Sequence, residues 1–258
     1  MKALTKFNLH SNYVTYRDND NYKLPNVSAC IDNNDVHYNY IKNYMKLTAL
    51  SDGDITITIP ASVNSTHATS ISYSKDMSNW TKTLVNNTTQ TITIPVNTGD
   101  IIYLKGIAKK WSINYSTNTT INSTANINAS GNTMSLFYGN TFEDKIIFTT
   151  YSSYNLCRLF YNNTHLIDVK DLILPATTLT NACYDSMFYG CTNLTTAPEL
   201  PATTLNTRCY EYMFMNCTSL TSVPELPATT LAEGCYVYMF GGCTSLTTAP
   251  ELPATTLA

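Results

Sequence analysis

The sequence LPATTLTNACYDSMFYGCTNLTTAPE, residues 174–199, decides the fold of the C-terminal third of the chain. Two near-copies follow it directly, at residues 200–225 and 226–251, and a fourth copy begins at Leu252. Each complete copy is 26 residues long and keeps Cys-Tyr, Met-Phe and Cys-Thr at the same positions. Because a unit of this size cannot bury an apolar face alone, neighbouring units must stack, and residues 174–258 are predicted to form a solenoid.

Five apolar residues mark the middle of each unit, in the first copy Cys183, Tyr184, Met187, Phe188 and Cys191. Their spacing places them on one broad apolar stripe if the segment is helical. The segment from Leu194 to Leu200 is short, contains proline and has leucine at both ends, which indicates a strand or an extended edge. We therefore predict one short helix and one strand in each unit.

The segment before the first copy is a degenerate relative of it. LFYNNTHL at residues 159–166 matches MFYGCTNL at residues 187–194, with Asn163 in the place of the cysteine. The stretch that follows is two residues longer than its counterpart in the copies. A degenerate and more polar terminal unit is typical of a solenoid cap, so residues 129–173 are predicted to be a connector and the N-terminal repeat cap.

The C-terminal end of the repeats shows no comparable cap. The sequence ends at Ala258, shortly after the fourth copy begins at Leu252. We expect a solenoid that ends there to expose an apolar face. Either the natural chain is longer than this sequence or a partner covers this end.

Residues 44–128 have the pattern of a β-sandwich. Ile55, Ile57 and Ile59 alternate with threonine, and Ile92, Ile94 and Val96 form a second alternating run. Turn sequences such as Asp52-Gly53 separate these short strand candidates. The predicted domain is a sandwich of immunoglobulin-like or jelly-roll kind, and the predicted fold class of the whole chain is mainly β with short helices.

Residues 1–43 differ from the rest because they are polar, tyrosine-rich and without a clear period. Two short strands around a turn at residues 32–35 are the local structure that the sequence allows. Forty residues of this composition do not make a core, so we predict an extended arm that becomes ordered on a partner. The predicted anchoring residues of this arm are Leu24, Pro25, Asn26, Val27, Ser28, Val36, His37 and Tyr38.

Composition restricts the partners. The formal net charge is −3 and only 13% of the residues are charged, which argues against nucleic acid, because phosphate binding needs clustered lysine and arginine. The N-terminus lacks the apolar core of a signal peptide, and no run of about 18 apolar residues predicts a membrane span. We expect neither nucleic-acid binding nor membrane insertion, and we expect folding in the cytoplasm.

No catalytic or metal-binding motif is present. The 4 histidines are scattered, and the sequence contains no nucleophile elbow, phosphate-binding loop or dinucleotide-binding fingerprint. The two cysteines of each unit are eight residues apart, which does not match the spacing of zinc sites and is too far for a disulfide on a helix. We predict buried free thiols, with disulfides between neighbouring units as the alternative, and no cofactor, metal or enzymatic activity.

Two sets of repeat positions are candidates for ligand contact. One set is a ladder of carboxylates, one per unit: Glu199, Glu225 and Glu251. Stacked carboxylates repel one another, so they either extend into solvent or bind a cation or a basic ligand. The other set occupies a position that varies between units: Tyr189, Met215 and Gly241. A hydrolytic tailspike would instead need a distinctive acid pair in a groove, which the identical glutamates do not supply.

The units resemble the BspA-type leucine-rich repeats of surface and phage proteins from gut Bacteroidales. The resemblance covers residues 155–258 and rests on LPATTL, on the Cys-Tyr and Met-Phe pairs and on GCTSLTTAPE. It implies a right-handed solenoid with a binding role, often adhesion, and no catalytic residue. In the arm, LPNVS at residues 24–28 and DVHYN at residues 35–39 are similar to the start of virion proteins in phages of those bacteria, including crAss-like phages.

The resemblance of the arm implies a head fibre, a capsid decoration protein or a tail-associated adhesin. We expect the arm to bind the phage capsid or another virion protein. We expect the sandwich to act as a spacer or as the contact of a homo-oligomer, for which a trimer is favoured. We expect the repeats to bind a host or mucosal glycan or protein. The alternatives are a secreted bacterial cell-surface adhesin and a tail-associated receptor-binding protein.

Overall fold

The computed structural model describes residues 27–31, 36–40, 43–63, 66–148 and 153–257. The chain divides into two compact units, Met1–Asn43 and Tyr44–Ala258. The structure is mainly β, and the single helix among the described residues is the four-residue α1, Ser135–Tyr138. None of the described helical structure is long and apolar enough to cross a membrane.

The first unit contains two described strands. Strand β1 (Val27–Ile31) pairs antiparallel with β2 (Val36–Tyr40), and Ile31 lies opposite Val36 next to the connecting residues. The second predicted strand, residues 36–39, is present, and β1 overlaps the first predicted strand, residues 24–28, at Val27 and Ser28. Among the predicted anchoring residues, Leu24, Pro25 and Asn26 lie outside the described residues.

The second unit contains the remaining elements. In chain order these are β3 (Met45–Ala49), β4 (Gly53–Ile59), β5 (Ala68–Ser74), β6 (Thr81–Leu84), β7 (Gln90–Val96), β8 (Ile101–Ala108), β9 (Ser112–Asn114), β10 (Thr117–Asn118), β11 (Thr120–Ser123), β12 (Ile127–Asn132), α1, β13 (Leu166–Asp168), β14 (Leu172–Ile173), β15 (Thr230–Leu231) and β16 (Thr256–Leu257).

Two sheets contribute to one core in residues 44–132. The small sheet has the order β11-β4-β7, and the large sheet has the order β13-β12-β3-β8-β5-β6. In β4 the residues Ile55, Ile57 and Ile59 are buried and the residues between them are half-buried, as the alternating pattern predicts. Trp111 is fully buried in this core, where its Nε1 donates to the carbonyl of Leu136 at 3.0 Å.

Strand β12 joins the sheet region to the repeats. It pairs antiparallel with β3 on one side and parallel with β13 and β14 on the other. The boundary predicted between residues 128 and 129 therefore lies inside a strand. Because Ile127 and Ala129 continue one buried face across that position, the core of the sheets passes into the core of the cap without interruption.

The predicted helices of the repeats are wrong. Each unit instead contains a run of consecutive turns, here called a turn segment, and the four turn segments are 155–162, 181–190, 207–216 and 233–242. Every fourth residue in them has a positive φ, which a right-handed helix does not tolerate: in the first complete unit these residues are Ala182, Ser186 and Gly190. An apolar period of four residues fits these turns as well as it fits a helix.

Backbone hydrogen bonds explain why the turn segments stack. Alternate N–H groups close turns within a unit, as from Met187 to the carbonyl of Tyr184. The intervening N–H groups donate to the next unit, as from Ser186 to the carbonyl of Glu211 at 2.8 Å and from Phe188 to that of Met213 at 2.9 Å. Half of the donors in a turn segment are therefore satisfied only when another unit is present.

The strand predicted over Leu194–Leu200 does not form. One isolated parallel bridge, Asp168 with Thr196, falls there. The parallel pairing of the complete units lies instead on the Thr-Thr-Leu sequence, in the bridge of Thr178 with Thr204 and in the pairing of β15 with β16. The bridge of Asp168 with Thr196 joins residues 28 positions apart, and the bridge of Thr178 with Thr204 joins residues 26 positions apart. The two extra residues of the cap therefore lie between Asp168 and Thr178 in the sequence.

The inner side of the turn segments consists of stacked, identical side chains. Phe160, Phe188, Phe214 and Phe240 form a stack with centroid distances of 5.7, 5.3 and 5.6 Å. The thiol of Cys217 donates to the carbonyl of Phe188 at 3.1 Å, and Cys191 and Cys243 make the equivalent bonds. The seven cysteines of residues 153–257 are free and buried, and burial raises the pKa of each thiol.

Asn163 ends the cysteine ladder at the cap. Its side-chain amide donates to the carbonyl of Ile121 in β11 at 3.2 Å, and its oxygen lies 3.3 Å from the hydroxyl of Ser123. The position where the repeats carry cysteine therefore carries an amide where the repeats meet the small sheet. A thiol is only a weak donor and a weak acceptor, so an amide makes these two contacts better, which accounts for the departure from the repeat pattern.

Candidate ligand-binding site

Along each turn segment, successive pairs of residues point alternately into the core of the stack and away from it. The inward pairs, such as Cys183-Tyr184 and Met187-Phe188, are identical in all three complete units. They are buried in the first two, whereas Tyr236 and Phe240 of the third are half-buried. The outward pairs differ from unit to unit: Asp185-Ser186, Glu211-Tyr212 and Val237-Tyr238 at one position, and Tyr189-Gly190, Met215-Asn216 and Gly241-Gly242 at the next. The chain thus keeps one packing face and varies the opposite one, here called the outward face.

An open cavity of about 360 Å³ lies on the outward face, near the cap. It is lined by Tyr115, Arg158, Asp185, Ser186, Arg208, Glu211 and Tyr212. Six of these residues come from the turn segments of three successive units, and Tyr115 comes from the connection between β9 and β10. The cavity therefore exists only where the sheet region covers the start of the repeats.

Asp185 is the most buried carboxylate of the cavity, with no exposed surface. Its Oδ1 accepts a hydrogen bond from the Ser186 hydroxyl at 2.6 Å, whereas its Oδ2 is buried and has no partner. Burial raises the pKa of this carboxyl to about 7, and the nearby carboxylate of Glu211 adds to the increase. A carboxyl in this state exchanges a proton close to neutral pH.

Glu211 and the two arginines supply the remaining charges. The Nε of Arg208 lies 3.7 Å from the carboxylate of Glu211, and its Nη1 lies 3.4 Å from the hydroxyl of Tyr115. Burial raises the pKa of Tyr115 to about 12, so this phenol stays protonated. The guanidinium of Arg158 lies over the ring of Tyr161 at 4.6 Å, and its Nε is buried without a partner.

The cavity therefore contains a free acceptor and a free donor in a charge-balanced frame. Two guanidinium groups face two carboxyl groups, so the formal charges cancel when both acids are ionised. Buried polar atoms without partners are rare in folded proteins and call for an explanation. Both atoms belong to residues that line the cavity.

The predicted glutamate ladder lies away from this cavity. Glu199, Glu225 and Glu251 are all exposed, and none of them lines the cavity. This exposure is compatible with both interpretations of the ladder, so its role in binding stays a prediction. Among the residues that the structure describes, no group of three or more histidine, cysteine or acidic side chains is arranged to hold a metal ion.

The predicted variable position does lie on the outward face. Tyr189 is half-buried, and its ring stacks on that of Tyr161 at 4.9 Å. Its hydroxyl is 3.4 Å from the side-chain amide of Asn216, and Met215 is half-buried in the next unit. Neither Tyr189 nor Met215 lines the cavity.

The predicted anchoring residues belong to the other unit. Val27 and Ser28 lie in β1, and Val36, His37 and Tyr38 lie in β2. The backbone register places Cys30 opposite His37 and Ala29 opposite Tyr38. The structure therefore brings the two predicted segments together as a hairpin.

The residues of the cavity were missed by the sequence predictions. A signal for them exists, because Asp185, Glu211 and Val237 occupy one position of an otherwise nearly identical unit. Tyr115 had no comparable signal, since it lies outside the repeats. The chain matches no protein-family model, and no curated protein or solved structure was found to match it.

Proposed function

We propose that the protein is a non-enzymatic binding protein of a virion, a head fibre or capsid decoration protein that displays a repeat domain for attachment to a host or mucosal surface. In this proposal the two sheets form a β-sandwich of immunoglobulin-like or jelly-roll kind. The stacked units form a leucine-rich-repeat-type solenoid. The observation that carries the binding role is the outward face, which varies while the inward face stays constant.

The outward face supports binding where its variable positions are exposed. In the last complete unit Val237 and Tyr238 are 40% and 65% exposed, whereas the adjacent Met239 is 2% exposed. Change at exposed positions costs little stability, so these are the positions at which recognition can diversify. Repeating the face along the stack, and across copies on a particle, raises weak contacts to useful avidity.

The virion location rests on the resemblance of the N-terminal arm. The antiparallel pair of β1 and β2 gives that arm a definite element with which to dock on the capsid or on another virion protein. A homo-oligomer, favoured as a trimer, would form through the sheet region.

The experiment is a mass-spectrometric count of the chain in purified particles, comparing the full chain with one that lacks residues 1–40. The proposal predicts a stoichiometric copy number for the full chain and loss of the truncated chain. Presence on bacterial envelopes and absence from particles would contradict it and would favour the secreted adhesin. Presence in tails but not in heads would favour the receptor-binding protein.

Binding is tested separately by adding the purified full chain to host cells and to mucin. We expect saturable retention that weakens when Tyr238 is changed to alanine on the outward face. The matched control is Glu225→Gln, an exposed change outside that face. Equal loss of retention in both variants would place the binding surface at the glutamate ladder. Failure of the unchanged chain to be retained would contradict the adhesive role.

A glycan depolymerase is the second candidate, because the cavity contains the non-repeated acid pair that such an enzyme needs. Asp185 and Glu211 differ from Val237 at the same position of the next unit, and the pKa of Asp185 is raised to about 7, in the range of a general acid. Against this role, the carboxyl groups of Asp185 and Glu211 lie close enough to hydrogen-bond to each other, which is nearer than the separation of about 5 Å or more that a glycosidase pair needs. Release of reducing ends from mucin or capsule glycans, and its loss in Glu211→Gln, would favour the depolymerase.

A further inference from the structure

We infer that the cavity on the outward face binds a neutral sugar unit, one or two rings in size. This inference rests on the proposed binding function and adds the chemical class of its ligand. The first argument is the pair of unsatisfied atoms, Oδ2 of Asp185 and Nε of Arg158. One ligand must therefore supply a donor and an acceptor within a small volume, which a hydroxylated molecule does with adjacent hydroxyl groups.

The second argument is the charge of the cavity. Arg158 and Arg208 balance Asp185 and Glu211 when both acids are ionised, so above about pH 7 the cavity has no net charge that would attract an anionic or a cationic ligand. Asp185 titrates near neutral pH, and a hydroxyl suits it in both states because a hydroxyl donates to a carboxylate and accepts from a carboxylic acid. A neutral polyol is therefore the ligand that leaves the charge balance of the cavity unchanged.

The third argument is the shape of the cavity and its aromatic walls. A volume of about 360 Å³ is at the lower end of small-molecule sites, which suits one or two sugar rings. The ring of Tyr212 is fixed by stacking on Tyr238 at 5.7 Å, and that of Tyr115 by an edge contact with Tyr154 at 5.1 Å. Held tyrosine rings combine an apolar face for sugar C–H groups with a hydroxyl for hydrogen bonding.

The fourth argument is that the cavity residues are fixed before any ligand arrives. Arg158 is held over Tyr161, the Ser186 hydroxyl is bound to Asp185, and Arg208 lies between Glu211 and Tyr115. Groups that are already positioned lose little conformational entropy on binding. Such a cavity is suited to a small, rigid molecule such as a sugar ring.

The experiment is saturation-transfer NMR followed by titration of the full chain with D-glucose, D-galactose, D-mannose, L-fucose and N-acetyl-D-glucosamine. N-acetylneuraminic acid and D-glucosamine serve as the anionic and cationic comparisons. We expect saturable binding of at least one neutral sugar, and weaker or no binding of the two charged ones. Tighter binding of a charged sugar, or binding of no sugar in this set, overturns the inference.

The variants locate the binding in the cavity. Arg158→Met keeps the aliphatic stem and removes the donor, and it is expected to weaken the neutral sugar about tenfold or more. Asp185→Asn is expected to weaken it as well, and Arg158 is partly exposed, so its variant decides the matter if Asp185→Asn does not fold. Glu225→Gln, exposed and distant in the repeat, should leave the affinity unchanged.

The two proposals fail in different ways. Retention of the unchanged chain on cells without any binding of the neutral sugars overturns the sugar inference and leaves the binding function in place. Loss of sugar affinity in Arg158→Met with unchanged affinity in Glu225→Gln supports the inference. Equal affinity of Arg158→Met and the unchanged chain overturns it.

Discussion

The sheet region, residues 44–132, and the turn segments of the repeats both bury one face and expose another, but they do so with different periods. In β4 single residues alternate, so that Ile55, Ile57 and Ile59 are buried and their neighbours are not. In the turn segments pairs alternate, because every fourth residue has a positive φ and reverses the direction of the chain. A strand closes its hydrogen bonds with a neighbouring strand, and a turn segment closes half of them within itself.

The comparison shows that an apolar spacing alone does not identify a backbone conformation. The pairs of the repeats, at spacings that suit a helix, occur here without any helix. What separates the two conformations is the outward position with positive φ, where asparagine and glycine are tolerated best. Asn162, Gly190, Asn216 and Gly242 occupy one such position in successive units.

The largest expected effect tests the stacked inner face. Phe188→Ala removes a ring that lies between those of Phe160 and Phe214, and it should lower the free energy of unfolding by about 3–5 kcal/mol. The matched control is Tyr238→Ala, which removes an outward ring that is 65% exposed and should cost much less. Urea denaturation monitored by circular dichroism measures both.

An equal loss in the two variants would contradict the division into inward and outward pairs. It would mean that the outward rings carry as much of the stability as the buried ones. A small loss of unfolding free energy in Phe188→Ala alone would mean that the stack relaxes into the space left by the ring. A fluid core would relax in this way, and a close-packed core does not.

The second expected effect tests the cavity through pH. The pKa of Asp185 is raised from its ordinary value of 3.8 to about 7 in the folded protein, so the folded state holds this proton more tightly than the unfolded chain. The stabilisation from this group is complete below about pH 4 and is lost as pH rises to about 7, by at most about 4 kcal/mol. Asp185→Asn should remove that loss.

The measurement compares the free energy of unfolding at pH 5 and pH 8 in both proteins. Asp76 and Asp100 have lowered pKa values from their hydrogen bonds, so they destabilise the fold as pH falls. Both proteins keep these groups, and the difference between them isolates Asp185. Parallel pH dependence in the two proteins would show that Asp185 is ionised in the fold throughout, held by Arg158.

The sequence predicted the structure correctly where a given spacing of apolar residues fits only one backbone conformation. Alternating isoleucine and threonine predicted β4 correctly, because period two occurs in strands and little else. The repeat length predicted that the units stack, and the hydrogen bonds between turn segments show that they do. The helices were wrong because period four has two solutions, and the strand over Leu194–Leu200 was wrong because pairing moved to the Thr-Thr-Leu sequence.

The cavity was beyond the sequence for a different reason. It needs Tyr115 from the sheet region beside Arg208, and these residues are 93 positions apart. That contact depends on β12 being shared between the sheets and the cap, so it is a property of the assembled core. The variation at Asp185 and Glu211 indicated which face of the repeats differs between units, but it did not indicate that Tyr115 lies against that face.

The third expected effect tests the connection between the two regions. Asn163→Cys restores the residue of the repeats and removes the amide that donates to the carbonyl of Ile121 at 3.2 Å. Because that buried carbonyl then loses a partner, we expect a loss of about 1–3 kcal/mol in the free energy of unfolding. The control is Cys217→Ala in the middle of the ladder, which should cost less if the thiol contributes only packing and a weak hydrogen bond. If Asn163→Cys stabilises the protein, cysteine suits this position as it does in the repeats, and the amide contacts do not explain the asparagine.

The smallest expected effect tests the outward face with two neighbouring glycines. A Cβ on Gly241 would lie 3.4 Å from the nearest atom, the carbonyl oxygen of Tyr238, and its φ is not positive, so Gly241→Ala should change the stability by no more than about 0.5 kcal/mol. Gly242 has a φ of +76°, and a Cβ there would overlap the side chain of Asn216, so Gly242→Ala should cost at least about 1–2 kcal/mol. Thermal unfolding of the two variants, which differ only in the position of one methyl group, measures the difference. If both alanines are tolerated, positive φ is not what reverses the chain after each outward pair, and the rule that separates the turn segments from the strands fails.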